Sequence, residues 1–555
     1  MKYLIIGGVA GGATVAARLR RLDERAEIII FEKGEHISYA NCGLPYYIGG
    51  VIRERSALLL QTPQSFAARF NIEVRVHNEV TNIDSSAKTI QVKNLKTKEL
   101  YTESYDKLIL SPGASPVLPP IPGIDNPKIL TLRNVADTDR IKNQVENTNL
   151  HSAVVVGAGF IGLEMAENLH KLGIQTSVVE AAPQVMNTID PDMASELHEQ
   201  FKIHNVGLHL GKAVREFTQI SDEQIDINLE DGTLLSANLI ILSIGVKPDS
   251  ALAREAGLET NEQGMIIVNE KMQTSQKDIY ALGDAVLSRN KITENYQAFN
   301  LAGPANKQAR ILANILAKDD NHTYKGAIGT AIAKVFDLQA AATGLSEKAA
   351  KQAGIDYKVA LIRTGSHAGY YPGAKQMSLK LIFSPKDGKI LGAQAIGEKG
   401  VDKRIDIIAT ALGLGASIYD LQEVEHAYAP PFSSAKDPVN QVAFYAENIM
   451  DNLVKTINSE DIINRSPETL LIDVRTAAEY AQGAIEGAIN IPVDEIRNKL
   501  DSIPKNKKIY LYCKAGMRGY IAARILKQNG LDEVYNLLGG YDLFKLQSKN
   551  QENKK

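Results

Sequence analysis

His151-Ser152-Ala153-Val154-Val155-Val156-Gly157-Ala158-Gly159-Phe160-Ile161-Gly162 is the stretch that decides the fold. An apolar run of strand length passes into a complete G-x-G-x-x-G. A helix is expected from about Leu163 to Lys171, then a strand from Ile174 to Val179 that ends in Glu180. Strand, glycine turn, helix, strand and terminal acid make a dinucleotide-binding plan. Amides at the helix N-terminus hold a pyrophosphate, and the acid takes a ribose hydroxyl. The expected contacts are Gly157, Gly159, Phe160, Ile161, Gly162 and Glu180.

The plan occurs once more, nearer the start. Tyr3 to Ile6 reads as a strand, Gly7-Gly8-Val9-Ala10-Gly11-Gly12 as the turn and Thr14 to Leu22 as the helix. Glu27 to Phe31 is the second strand, closed by Glu32. The middle glycine is replaced by Val9, so a plain glycine turn competes with the nucleotide reading. Here Gly7, Gly8, Ala10, Gly11, Gly12, Glu32 and Lys33 are the expected contacts. Two such plans imply two nucleotides. Two further strands run into tight exits, Leu108-Ile109-Leu110 before Ser111-Pro112-Gly113, and Leu239 to Ile244 before Gly245-Val246-Lys247-Pro248. A third, Ile279-Tyr280-Ala281-Leu282-Gly283-Asp284, is an apolar strand with an Asp at its tip, which either forms a turn or reaches the ribityl chain of a flavin.

The totals bound the rest. A chain of 555 residues exceeds one core and predicts three or four domains. Its net charge of −3 gives no reason to expect a nucleic-acid partner. Two cysteines cannot build a disulfide framework, which suits a reducing compartment. No apolar run reaches the roughly 18–20 residues that a bilayer span needs. Met1 to Ile6 could open a signal peptide, but the glycines that interrupt it and the Arg18, Arg20 and Arg21 that follow favour a strand. A cytoplasmic protein without membrane attachment is expected.

One of the two cysteines lies in Ser38-Tyr39-Ala40-Asn41-Cys42-Gly43-Leu44-Pro45-Tyr46-Tyr47, just past the first nucleotide plan. A lone thiol there is either a small buried apolar residue or a redox group beside a cofactor. Together these strings resemble the FAD- and NAD(P)H-dependent pyridine nucleotide-disulfide oxidoreductases over about residues 1–445. The resemblance implies an α/β fold with two Rossmann-like, glutathione reductase-like domains. An FAD-binding domain would take 1–112 and 245–322, with Asp284 on FAD. An NAD(P)H-binding domain would take 113–244, and an α+β dimerisation domain 323–447. The protein would be a homodimer.

Family members differ in the group beside the flavin. A C-x-x-x-x-C pair needs a second cysteine at position 47, where this chain has Tyr47. Peroxidases and oxidases of the family use a single cysteine as a sulfenic acid, with a histidine in the first glycine turn; that position is Ala10. The string around Cys42, His367-Ala368-Gly369-Tyr370-Tyr371-Pro372-Gly373 and Glu425-His426-Ala427-Tyr428-Ala429-Pro430-Pro431 resemble the coenzyme A-disulfide reductase branch. That resemblance implies that Tyr370 and Tyr428 of one subunit flank the sulfur of the other, with Tyr371 as the competitor of Tyr370. It implies a basic coenzyme A site from Thr14, Arg18, Arg21, Ser38, Asn41 and Lys436. Packing tyrosines and a solvated basic helix face are the plainer readings. Glu180 would favour NADH, because a carboxylate repels a 2′-phosphate.

Residues 448–458 are expected to be a linker and 459–555 a separate α/β domain. Leu470 to Arg475, Gly483 to Pro492, and Lys508 to Tyr512 leading into Cys513-Lys514-Ala515-Gly516-Met517-Arg518-Gly519 resemble a rhodanese. A cysteine at a strand end, in a loop closing on a helix N-terminus, collects amides around one sulfur. Arg518 adds charge at the mouth. The loop from Cys513 to Arg518 is one residue shorter than in related phosphatases, which favours sulfur over phosphate. An inactive binding module is the alternative.

The expected protein is thus an NAD(P)H-dependent flavoprotein. It passes electrons through Cys42 to CoA-disulfide, CoA-persulfide or polysulfide, while Cys513 handles sulfane sulfur. No metal is expected. NADH oxidase or peroxidase, and a slow redox sensor or sulfur carrier, are the competing functions.

Overall fold

The computed structural model describes residues 1–318 and 321–552. The chain forms two compact units, Met1–Pro183 with Val206–Gly329, and Gln184–Asn205 with Thr330–Lys555.

The first unit holds two five-stranded parallel sheets. In the first sheet the spatial order is Ile279–Ala281, Lys107–Leu110, Lys2–Ile6, Glu27–Glu32 and Glu73–Val76. The second runs Gly207–Leu210, Gln175–Glu180, Ser152–Val156, Leu239–Leu242 and Ile129–Leu130. Tyr3, Leu4 and Ile5, and likewise Ala153, Val154 and Val155, are buried. Near-continuous apolar runs are what a parallel sheet covered on both faces requires. The first sheet takes its last strand from beyond the second sheet, so the second half is an insertion. The two exits meet where Ala114–Pro116 pairs antiparallel with Val246–Pro248.

Both motif helices begin inside their glycine turns, at Ala10 and Phe160 rather than Thr14 and Leu163. Gly11 and Gly12 are therefore helical, and they serve close approach rather than turning. A Cβ on Gly12 would lie 1.8 Å from the Gly7 carbonyl oxygen, and one on Gly162 1.9 Å from that of Gly157. Arg20, expected only as part of a basic run, is buried and ties off the helix end by donating to the carbonyls of Asp23, Glu24, Phe70 and Asn71.

The second unit has a five-stranded antiparallel sheet, ordered Ala331–Val335, Leu338–Gly344, Ile390–Gly397, Gln376–Phe383 and Lys358–Gly365. The helices Val401–Gly413 and Pro438–Met450 pack against it. A five-stranded parallel sheet follows, ordered Lys455–Ile457, Val534–Leu537, Ile509–Tyr512, Leu470–Asp473 and Ile489–Asn490. Lys455–Ile457 falls in the stretch expected to be a linker. Three residues are too few to show strand periodicity, and only pairing with Val534–Leu537 identifies them.

The helix Pro191–Ile203 groups with this second unit, although it lies within 113–244. A buried ion cluster explains why. Lys380, fully buried, meets Asp190 at 3.0 Å, Asp192 at 2.8 Å and Glu347 at 2.5 Å. Burial alone would pull the lysine down, but the three carboxylates outweigh it and hold the ammonium charged. These carboxylates lie close enough together to hold an ion, and the ammonium already sits among them.

Candidate active sites

The two glycine turns are built alike. Gly7 and Gly157 both have positive φ, 96° and 102°. Their amides donate to the Phe31 and Val179 carbonyls at 2.8 Å. Glu32 accepts from the amides of Gly8 (3.0 Å) and Gly34 (2.8 Å). Glu180 accepts from those of Ala158 (2.7 Å) and Ala182 (2.8 Å). Each acid is thereby fixed across its turn with lone pairs to spare.

Val9 stands where the first copy lacks its middle glycine, and Gly159 shows why this is tolerated. Gly159 has φ −77°, which any residue can adopt, and a Cβ there would meet nothing within 4 Å. Neither helix has a side-chain cap or an acid in its first turn. The amides of Ala10, Gly11 and Gly12 find no acceptor among the described residues. Uncapped amides, glycines that leave no room for a side chain and a fixed acid suit a dinucleotide at each turn. Ala10 and Ile161 are exposed at the two helix starts, Phe160 is half-buried, and Lys33 is exposed beyond the first strand pair.

Cys42 sits in the short 3₁₀ turn Asn41–Gly43, followed by the helix Leu44–Ile48. This loop is tied to the first glycine turn, because the Ser38 amide donates to the Gly8 carbonyl at 2.9 Å. Ser38 itself holds a φ of 46°, unusual for a side-chain-bearing residue. Tyr47 lies under the Lys142 ammonium, 5.4 Å from the ring centre. Tyr46 donates to Glu164 Oε1 at 3.1 Å.

Cys42 is exposed as a residue. Even so, the protein around its sulfur displaces enough water that desolvation is the largest influence on the thiol and pushes it up. The Glu164 and Asp284 carboxylates push the same way. Burial pushes Asp284 up as well, against the pull of Arg133.

In the second unit the structure brings Tyr370 and Tyr428 together, their hydroxyls 2.9 Å apart. They are 77% and 47% exposed. Their hydrogen bond pushes the Tyr428 phenol up. Tyr371 packs its ring edge-on against His367 at 5.7 Å instead, so the tyrosine paired with Tyr428 is Tyr370.

The residues expected at a coenzyme A site divide. Thr14 donates to Asn306 Oδ1 at 2.7 Å, and Arg18 to Asn314 Oδ1 at 3.1 and 3.0 Å, both on the helix Ala302–Lys318. Arg21, Asn41 and Lys436 are exposed and Ser38 half-buried.

At the other cysteine, the Gly516 amide donates to Cys513 Sγ at 3.0 Å, and Gly516 has φ 112°. The amides of Tyr541 and Asp542 hold the carbonyls of Cys513 (2.8 Å) and Lys514 (3.2 Å) from behind. A Cβ on Gly540 would come 2.6 Å from each of those oxygens, so glycine is needed there. Cys513 is 2% exposed. The Arg518 charge is not free at the mouth. Its guanidinium grips Glu479 through two bonds of 2.6 and 2.7 Å and holds that carboxyl down at about 2. Glu479 lies 39 residues upstream, and no local pattern signals the pairing.

Three sequence profiles match the chain. That of the pyridine nucleotide-disulphide oxidoreductases matches residues 1–309, that of their dimerisation domain 330–438, and that of rhodanese-like domains 453–547. The coenzyme A disulfide reductase of Staphylococcus aureus (strain bovine RF122 / ET3-1) is 36% identical over 446 residues, 80% of this chain and 100% of that protein. The crystal structure of reduced Bacillus anthracis CoADR-RHD superposes with TM-score 0.96 at 49% identity, over 99% of this chain and 98% of that one. An NAD-dependent persulfide reductase from A. fulgidus gives 0.92 at 35%, over 98% and 100%.

Proposed function

The chain belongs to the pyridine nucleotide-disulphide oxidoreductases, with a rhodanese-like domain behind the family's dimerisation domain, and from that premise we propose an NAD(P)H-dependent flavoprotein reductase of CoA-disulfide, CoA-persulfide or polysulfide. The observation that carries this reading is a single free thiol, Cys42, in a loop that the Ser38 amide ties to the carbonyl of Gly8 in the first glycine turn. FAD would lie on the first glycine turn with Glu32 and Asp284, and the nicotinamide nucleotide on the second with Glu180. When bound, the flavin supplies the electron pair, drawn from NAD(P)H, that returns Cys42 from a disulfide to a thiolate.

The chain's own residues do the rest. The Cys42 thiolate attacks one sulfur of R–S–S–R, a Cys42–S–S–R bond forms, and R–S⁻ leaves with the bonding pair. Two electrons then yield the second R–S⁻. In the Tyr370–Tyr428 pair one hydroxyl proton is shared between the oxygens and the other remains available. Presented to Cys42 of a second copy in a homodimer, that O–H would supply the donor the thiolate lacks and would protonate departing R–S⁻. Thr14, Arg18, Arg21, Ser38, Asn41 and Lys436 would bind coenzyme A. Cys513 would carry sulfane sulfur.

Anaerobic NADH consumption tests this directly. CoA-disulfide and polysulfide are expected to sustain turnover without oxygen, with thiol or sulfide released in step. Consumption that needs oxygen would instead assign an oxidase. Replacing Cys513 with Ser is expected to remove sulfur transfer from polysulfide to cyanide and to spare CoA-disulfide reduction.

Cofactor preference gives a second expectation. The Glu180 carboxylate is held by two amides, and on a nucleotide's ribose it would repel a 2′-phosphate. Glu180→Gln keeps the shape and removes the charge. The NADPH to NADH ratio of kcat/KM should rise about tenfold, the effect of one contact of about 1.4 kcal/mol. An unchanged ratio would remove Glu180 from the cofactor's ribose.

A further inference from the structure

Between the matched stretches 330–438 and 453–547 runs the helix Pro438–Met450. It belongs to neither profile beyond its first residue, yet it sends Tyr445 to the Cys513 loop. The Tyr445 ring packs edge-to-face on Tyr520 of the helix Met517–Gln528, 5.9 Å between centres. Its hydroxyl oxygen accepts from Asn536 Nδ2 at 3.0 Å. The same amide nitrogen donates to the Gly516 carbonyl at 3.1 Å, and the Gly516 amide donates to Cys513 Sγ at 3.0 Å. Asn536 is almost fully buried, and it fits because residue 519 is glycine; a Cβ there would lie 2.1 Å from Asn536 Oδ1.

The hydroxyl proton of Tyr445 has no acceptor among the described residues. Desolvation pushes the phenol up against the pull of the Asn536 hydrogen bond, and Cys513 and Tyr520 push it further. Tyr445 is therefore a half-buried phenol whose hydroxyl is tethered through Asn536 to the loop that holds the Cys513 sulfur.

We propose that Tyr445 is the hydrogen-bond donor to the outer sulfur of a persulfide on Cys513. The inference rests on Cys513 being the sulfur carrier. The Cys513 thiolate attacks the outer sulfur of R–S–S⁻, the donor's S–S bond breaks and R–S⁻ departs with the bonding pair. A new S–S bond leaves the negative charge on the terminal sulfur. No electrons are gained or lost overall, and Tyr445 keeps its proton. The acceptor that the hydroxyl lacks appears when the loop is loaded. The reductase part of the chain would thus complete the sulfur site of the rhodanese-like domain.

The test uses the full chain carrying Cys42→Ser, so that Cys513 is the one reactive thiol, with polysulfide as sulfur donor and cyanide as acceptor. Tyr445→Phe is expected to slow persulfide formation about tenfold, as loss of a hydrogen bond to a charged group does. It should also move the pH profile for alkylation of the loaded persulfide to higher pH. Tyr520→Phe, which removes the neighbouring hydroxyl, should change neither. A Tyr445→Phe rate within twofold of its parent, an unmoved persulfide profile, or an equal loss in Tyr520→Phe would overturn the proposal. Should Tyr445→Phe fail to fold by circular dichroism, Asn536→Ala carries the test, with a smaller loss in the same direction expected and an unchanged rate counting against it. Thiocyanate formation that persists in Cys513→Ser would instead overturn the underlying reading of Cys513.

Discussion

Replacing Cys42 with Ser is expected to abolish NADH-driven reduction of CoA-disulfide, lowering kcat/KM by at least about 10³-fold, the scale of losing a covalent nucleophile. The chain holds no thiol to take over. Cys513 is the only other cysteine, it is buried, and Tyr47 fills the place a partner thiol would need, under Lys142. The variant should keep its fold, because Cys42 is exposed and lies in a turn closed by the Gly43 amide on the Ala40 carbonyl at 2.9 Å. The surroundings also predict how Cys42 titrates. Desolvation first, then Glu164 and Asp284, push its thiol up, and a raised thiol is less ionised at neutral pH. Glu164→Gln should therefore shift Cys42 alkylation to lower pH, measured in a Cys513→Ser background. Turnover by Cys42→Ser within tenfold of wild type would remove Cys42 from the electron path.

The features legible in the sequence are those written in consecutive residues. Both glycine turns, both acids, the two exits and the two cysteine loops need only local backbone geometry, and each stands where its motif placed it. The helices start earlier than expected because Gly11 and Gly12 look like turn residues in the sequence, whereas the crowding that demands them comes from Gly7 and from Ser111 and Leu282. Lys455–Ile457 is a strand only by virtue of Val534–Leu537. Pro191–Ile203 takes its place from Lys380, nearly two hundred residues on. The charge of Arg518 was legible and its neutralisation by Glu479 was not. Tyr445 carries no motif; its role shows only when Asn536, Gly516 and Cys513 are assembled. Side chains that complete a site from distant strands leave no trace in spacing.

The same holds for the ion pair that anchors the tyrosine loops, and breaking it should give the largest stability loss. Arg404 and Asp437 are 1% and 0% exposed and joined at 2.9 Å. Arg404 also donates to the Ser366 carbonyl at 2.9 Å. Asp437 accepts from the Ser433 hydroxyl at 2.5 Å and the Val439 amide at 3.0 Å. The Ser433 carbonyl takes the Ala368 amide at 3.0 Å. One buried pair thus clamps the segment bearing Tyr370 to the segment that follows Tyr428. Asp437→Ala strands a buried guanidinium and is expected to cost about 3–5 kcal/mol, whereas removing both charges for apolar groups would cost less. Burial alone would push the Asp437 carboxyl up, but Ser433, Val439 and Arg404 together hold it below the ordinary carboxylate range. Its stabilisation is therefore complete above the unfolded value of about 3.9 and drains away as pH falls through the lower folded value. Denaturant unfolding should show a wide gap between wild type and Asp437→Ala at pH 7 that narrows in strong acid. A gap that stays constant with pH would mean that Asp437 acts through packing rather than charge. If the clamp also sets the tyrosine pair, CoA-disulfide turnover should fall further in Asp437→Ala than in Tyr371→Phe, whose ring lies against His367 and away from Tyr428.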